Sequence, residues 1–139
     1  TVQKIMKNYG DKVKLVWRDK PLPMHKDAPL ASEAAREALK QKGNEGFWKM
    51  HDLLYKNQKA LGMEALMGYA KELKLDEANF KAALDARTHK SVVEAEAKVA
   101  DDAQISGTPA FIINGYFING AQPYGKFKKA VEKALAEAK

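Results

Sequence analysis

The sequence predicts an α/β or α+β protein in which a small sheet is interrupted by one large helical block. Three observations predict it. Val13, Leu15 and Trp17 alternate with Lys14, Val16 and Arg18 at period two. A long stretch from Ala28 to Gln104 is rich in Ala, Leu, Glu and Lys and has no proline after Pro29. Two short β-rich runs near the end flank Asn114-Gly115, the dipeptide favoured in two-residue hairpin turns.

Taken in order, Val2, Ile5, Met6 and Tyr9 fall at helical spacing and make one apolar face, and Gly10 supplies a stop. Only Thr1 is available as a cap, and Lys4 stands where a capping box would want Glu or Gln. The segment therefore reads as the later part of a helix. A strand is expected over Lys12 to Asp19, stopped by Pro21 and Pro23, whose rings remove ladder donors.

The helical block divides at its glycines and caps. Pro29 to Lys42 is one expected helix, ended by Gly43, and Gly46 to Leu61 is a second with Phe47, Met50, Leu54 and Leu61 near one face. Glu64 to Leu73 is a third, Asp76 caps a fourth bearing Phe80 and Leu84, and Thr88 or Ser91 opens a fifth that Gly107 ends. The hairpin follows, with strands Ala110 to Ile113 and Tyr116 to Ile118. Asn119-Gly120 makes a second turn, and Pro123 suits the first turn of a last helix striped by Tyr124, Phe127, Val131 and Leu135.

A chain of 139 residues is near the commonest size for one domain, and 45% apolar with 30% charged residues is an ordinary globular balance. The net charge of +6 reads as a lysine-rich coat, because the lysines are interspersed with acids, as in Lys71-Glu72-Leu73-Lys74. No dense basic run interleaved with aromatics favours nucleic acid. No segment approaches the roughly 18 apolar residues that span a bilayer, and no signal-peptide hydrophobic region is visible. The chain contains no cysteine, which removes disulfides, thiolate nucleophiles and thiolate metal ligands from its own chemistry.

Gly107-Thr108-Pro109-Ala110-Phe111-Ile112-Ile113-Asn114-Gly115, followed by a strand and an amphipathic helix, resembles the cis-proline loop and closing hairpin of DsbA-like thioredoxin-fold thiol–disulfide oxidoreductases. Val13-Lys14-Leu15-Val16-Trp17 through Pro21-Leu22-Pro23 resembles that family's strand and following turn, and Phe47-Trp48-Lys49-Met50-His51-Asp52-Leu53-Leu54-Tyr55 resembles a helix of its insertion. The resemblance spans nearly the whole chain. It implies an α/β thioredoxin-like fold, with an incomplete thioredoxin-like part over residues 1–27 and 105–139, a helical insertion over 28–104, and one structural domain overall.

The family's reaction runs through a Cys-x-x-Cys motif placed ahead of sequence like Thr1 to Gly10, after a central strand that is also absent here. A helix N-terminus lowers the thiol pKa, and the thiolate exchanges with a substrate disulfide through a mixed disulfide. The resemblance thus implies a DsbA-family protein disulfide oxidoreductase domain, exported or periplasmic, that is inactive in thiol exchange as the sequence stands. The alternative is a redox-inactive thioredoxin-like module that binds peptides. A glutathione-transferase kappa or isomerase branch would bring a larger insertion and an N-terminal serine, which are not visible. The resemblance also implies a cis Thr108-Pro109 bond, with both residues presenting a backbone edge to an extended protein or peptide substrate. The unpartnered edges left by the absent strand suggest a strand-swapped homodimer as a further expectation.

The remaining candidates weigh lightly. His25, His51 and His89 lie in different expected elements and form no ligand spacing, so neither metal nor cofactor is expected. Ser32, Ser91 and Ser106 sit in no nucleophile-elbow sequence. Phe47, Trp48 and Tyr55 could line a peptide groove, although aromatics at helical spacing more often serve the core. Gly115 and Gly120 belong to turns.

Overall fold

A computed structural model describes residues 1–138; Lys139, the last residue of the expected thioredoxin-like part, lies outside the described residues. The chain forms two compact units, one of Thr1–Arg18 with Asp101–Lys139 and the other of Asp19–Ala100.

The first unit is built from helix α1 (Val2–Tyr9), strands β1 (Ala110–Ile113) and β2 (Tyr116–Asn119), and helix α6 (Tyr124–Glu137). The strands pair antiparallel with Ile113 opposite Tyr116 and Ile112 opposite Phe117. Asn114 and Gly115 both take positive φ, 45° and 93°, as a two-residue turn matched to strand twist requires. Side chains alternate across the hairpin, so Phe111, Ile113, Tyr116 and Ile118 share one face. That face joins Ile5, Phe127 and Val131 in a core, with Tyr9, Val13 and Tyr124 against it. The rings of Phe111 and Phe127 meet edge to face at 4.8 Å.

Polar contacts close the same unit at its rim. Asn8 Nδ2 donates to the Tyr124 hydroxyl at 2.7 Å, and the Tyr116 hydroxyl donates to the Glu137 carboxylate at 2.6 Å. Lys4 and Lys133 place their ammonium groups over the rings of Tyr124 and Tyr116, at 4.4 and 4.6 Å from the centroids.

The strand expected over Lys12 to Asp19 is not formed. Gly10–Lys12 is a short 3-10 turn, and residues 13–20 have no regular structure. Val13 is extended, at φ −131° and ψ 148°, but a strand exists only by pairing, and the sheet among the described residues holds β1 and β2 alone. Val13 and Trp17 are half-buried and Lys14, Val16 and Arg18 exposed, so the alternation persists in burial, with Leu15 exposed, but no ladder forms on it among the described residues.

The second unit is helical. Helix α2 (Ala28–Lys56) consists of two helical segments that meet at a kink, where Lys42 and Gly43 leave helical geometry and Gly43 takes φ 62°; the break falls at the expected Gly43, and the second segment ends at Lys56 rather than Leu61. Helices α3 (Met63–Glu72), α4 (Glu77–Asp85) and α5 (Lys90–Asp102) follow. Asp76 caps α4 by accepting the Asn79 N–H at 2.9 Å. Helix α5 ends five residues before Gly107, and Gln104 instead supplies the positive φ, 59°, after its last turn. Phe47, Met50, Leu66, Leu75, Phe80, Leu84 and Val93 are large buried apolar side chains of this unit.

Candidate functional site

Thr108 and Pro109 lie on the surface immediately before β1, and the peptide bond between them is cis. The Pro109 carbonyl accepts the Gly120 N–H at 2.9 Å. Antiparallel residue pairs alternate between exchanging hydrogen bonds and turning their main-chain groups outward. Because Pro109 opposite Gly120 is bonded, the next pair, Ala110 opposite Asn119, is of the outward kind. Ala110 therefore turns its N–H and C=O to the outer edge of β1, beside exposed Thr108 and Pro109. That edge pairs with no strand among the described residues.

No sulfur nucleophile accompanies it, since the sequence has no cysteine. The edge can hold extended backbone by hydrogen bonding, but the chain's own groups offer no thiol for exchange.

The histidines are dispersed. His25 is exposed between two turns ahead of α2. His51 Nδ1 lies 3.0 Å from Asp52 Oδ1, with its ring 5.1 Å from Trp48 and 4.7 Å from Tyr55. Phe47 is buried at the base of this aromatic row, whereas Tyr55 is exposed. His89 Nε2 lies 2.6 Å from Glu37 Oε2. Among the described residues no three His, Asp or Glu side chains gather as metal ligands.

Sequence reading missed a set of buried charges in the helical unit. Asp19, Glu33 and Glu37 are each at most 2% exposed. Arg36 donates to Asp19 Oδ2 at 2.6 Å and to Glu96 Oε2 at 2.5 Å, and the same Glu96 oxygen accepts the Asp19 N–H at 2.7 Å. Glu33 Oε2 accepts both Nε, at 2.8 Å, and Nη2 of Arg87, while Glu33 Oε1 is buried with no hydrogen-bond partner among the described residues. The hydrogen bond to Glu33 holds the Arg87 guanidinium more firmly protonated than usual, against some desolvation. Glu33 and Glu37 lie on successive turns of α2 between buried Ala31, Ala34, Ala35 and Ala38. Acidic residues set in an alanine stripe were the signal available in the sequence. Paired in this way, they hold α2 to α5 and to the turn before it.

The hairpin, its two flanking helices, the exposed Thr108-Pro109 edge and the helical unit define a thioredoxin-fold domain. A family model described as Thioredoxin matches residues 1–133. The chain is 35% identical over 139 residues to the Na(+)/H(+) antiporter NhaA 3 of Salinispora tropica, covering 99% of this chain and 21% of that protein. It is 30% identical over 131 residues to a probable disulfide bond formation protein D of Bacillus anthracis, covering 89% and 58% respectively. Against disulfide bond formation protein D of Bacillus subtilis it is 29% identical over 139 residues, covering 95% and 62%. The chain belongs to the thioredoxin family, in its DsbA-like branch. It spans 21% to 62% of the length of these three relatives. Among the described residues no helix is long and apolar enough to cross a membrane.

Proposed function

We propose that this thiol–disulfide oxidoreductase-family domain serves as the substrate-holding body of a DsbA-type protein disulfide oxidoreductase, exported in the bacterium that makes it. By themselves the 139 residues bind extended protein segments and leave their disulfides unchanged. The observation that carries this reading is the outward-facing main chain of Ala110 beside exposed Thr108 and Pro109, an edge to which an extended peptide can add as a strand. The composition supports the second half of it, because thiol–disulfide exchange requires an attacking thiolate that the sequence does not supply. The names of the Bacillus relatives support disulfide chemistry in the wider protein, and disulfides persist in oxidising, exported compartments.

The test is to incubate the chain with an extended peptide carrying one disulfide and to follow the peptide by mass spectrometry, with anisotropy of a labelled copy reporting binding. Binding with the disulfide intact is expected. Reduction or reshuffling of the disulfide by this chain alone, or no binding at millimolar peptide, contradicts the reading.

A further inference from the structure

The outer edge of β2, on the opposite side of the hairpin from Thr108-Pro109, carries a second feature. Phe117, Ile118, Asn119, Gln122 and Lys126 line an open groove of about 180 Å³ along it. Alternation from the bonded Pro109–Gly120 pair makes Phe117 and Asn119 outward-facing residues, so their main-chain groups point into this groove. The Asn119 carbonyl takes a hydrogen bond from Gln122 Nε2 at 2.9 Å, so the Phe117 main chain is the open part of this edge. On its outer side, away from β1, the Phe117 main chain has no strand beside it among the described residues.

The side chains around this edge differ by face. Phe117 is 54% exposed and its cross-strand partner Ile112 is 60% exposed, so they form an apolar pair on the solvent face of the hairpin. Lys126, in the first turn of α6, is exposed and makes no ion pair among the described residues. Among the described residues that line the groove it is the one charged side chain. The positive end of the α6 dipole lies in the same turn. The charge of the surroundings has the same sign. Residues 1–18 and 101–139 hold ten Lys and Arg against five Asp and Glu, a net +5, whereas the other unit holds fourteen against thirteen.

We infer that the β2 edge is a docking site for an extended segment of a partner protein in which apolar and acidic residues alternate. A strand added to this edge sends successive side chains to opposite faces. Residues on the Phe117 face cover the Ile112–Phe117 pair, and their neighbours reach Lys126, where a carboxylate meets an ammonium that makes no ion pair among the described residues. Main-chain bonds to Phe117 supply the affinity common to any extended peptide, and the alternation supplies the selection.

The test uses the chain as it exists and a capped, fluorescein-labelled heptapeptide alternating Val with Glu, read by anisotropy. A Lys-for-Glu counterpart and vesicles of phosphatidylglycerol are the comparisons. The acidic peptide is expected to bind, the basic one at least tenfold more weakly. Lys126→Glu should weaken the acidic peptide about tenfold, while Lys7→Glu, the same charge change on an exposed residue outside the groove, should change it by less than twofold. Phe117→Ser, at a half-exposed position, should weaken both peptides together. Equal loss with Lys126→Glu and Lys7→Glu would reduce the effect to overall charge and overturn the site. So would equal binding of the two peptides, or binding to the vesicles with none to the acidic peptide.

Discussion

The Tyr9 hydroxyl donates to Glu132 Oε1 at 3.2 Å, joining the last turn of α1 to α6 across 123 residues of chain. Partial burial and the neighbouring Glu132 carboxylate both push the Tyr9 phenol above its ordinary value near 10. A raised phenol pKa means that the folded state holds this proton more tightly than the unfolded chain does. The associated stability is therefore fully present below pH 10 and is lost as pH rises through the higher folded value. Burial raises the Tyr55 phenol as well, so an ultraviolet titration of the phenolates should show two tyrosines ionising late, and Tyr9→Phe should remove one of them and leave the other. A Tyr9 that ionises with the free amino acid would contradict the contact.

Phe127 is 3% exposed, with its ring against Phe111 in the core of the first unit. Phe127→Ala removes that ring and leaves a cavity, at an expected cost of about 3 to 5 kcal/mol. Urea unfolding measures it, and a loss under about 1 kcal/mol would place Phe127 outside a packed core.

Gly46 follows the kink of α2 so closely that a Cβ there would lie 2.5 Å from the Ala38 carbonyl oxygen and 2.7 Å from the Lys42 Cβ. The oxygen belongs to the backbone and cannot rotate away. Although alanine is the better helix former, Gly46→Ala should destabilise by about 1 to 3 kcal/mol, the range of overpacking, rather than stabilise. A raised thermal midpoint would show that the kink is not as tight as described.

Arg36 is the hub of the buried charges, between Asp19 and Glu96. Arg36→Ala leaves two carboxylates facing each other with little solvent, and breaking such a pair from one side costs about 3 to 5 kcal/mol. Part of the loss should return when Glu96→Gln is added, because one of the facing charges is then gone. A double mutant no more stable than the single one would place the effect in packing, not charge.

The legible parts of this chain were those whose cause is local. Asn114-Gly115 fixed the hairpin because both residues tolerate positive φ, and Asp76 announced α4 because a cap bonds three residues on. The segment from Lys12 to Asp19 misled for the opposite reason. Its alternation is real, but strand identity rests on a partner, and none pairs with it among the described residues. Glu33 and Arg87 meet from 54 positions apart, and Glu37 and His89 from 52, so periodicity could not join them. At the candidate site the sequence located Thr108 and Pro109. The outward phase of Ala110 and the Lys126 groove needed the register of β1 on β2.

The most direct test of the substrate-holding role is a titration of the ¹⁵N-labelled chain with an uncharged extended peptide containing one disulfide, read from amide chemical shifts. The largest changes are predicted at Gly107, Thr108, Ala110 and Ile112 along the outer edge of β1, with the peptide recovered at unchanged mass. Shifts confined to other elements, or a peptide returned with its disulfide reduced, would contradict a chain that holds extended substrate at this edge without thiol chemistry of its own.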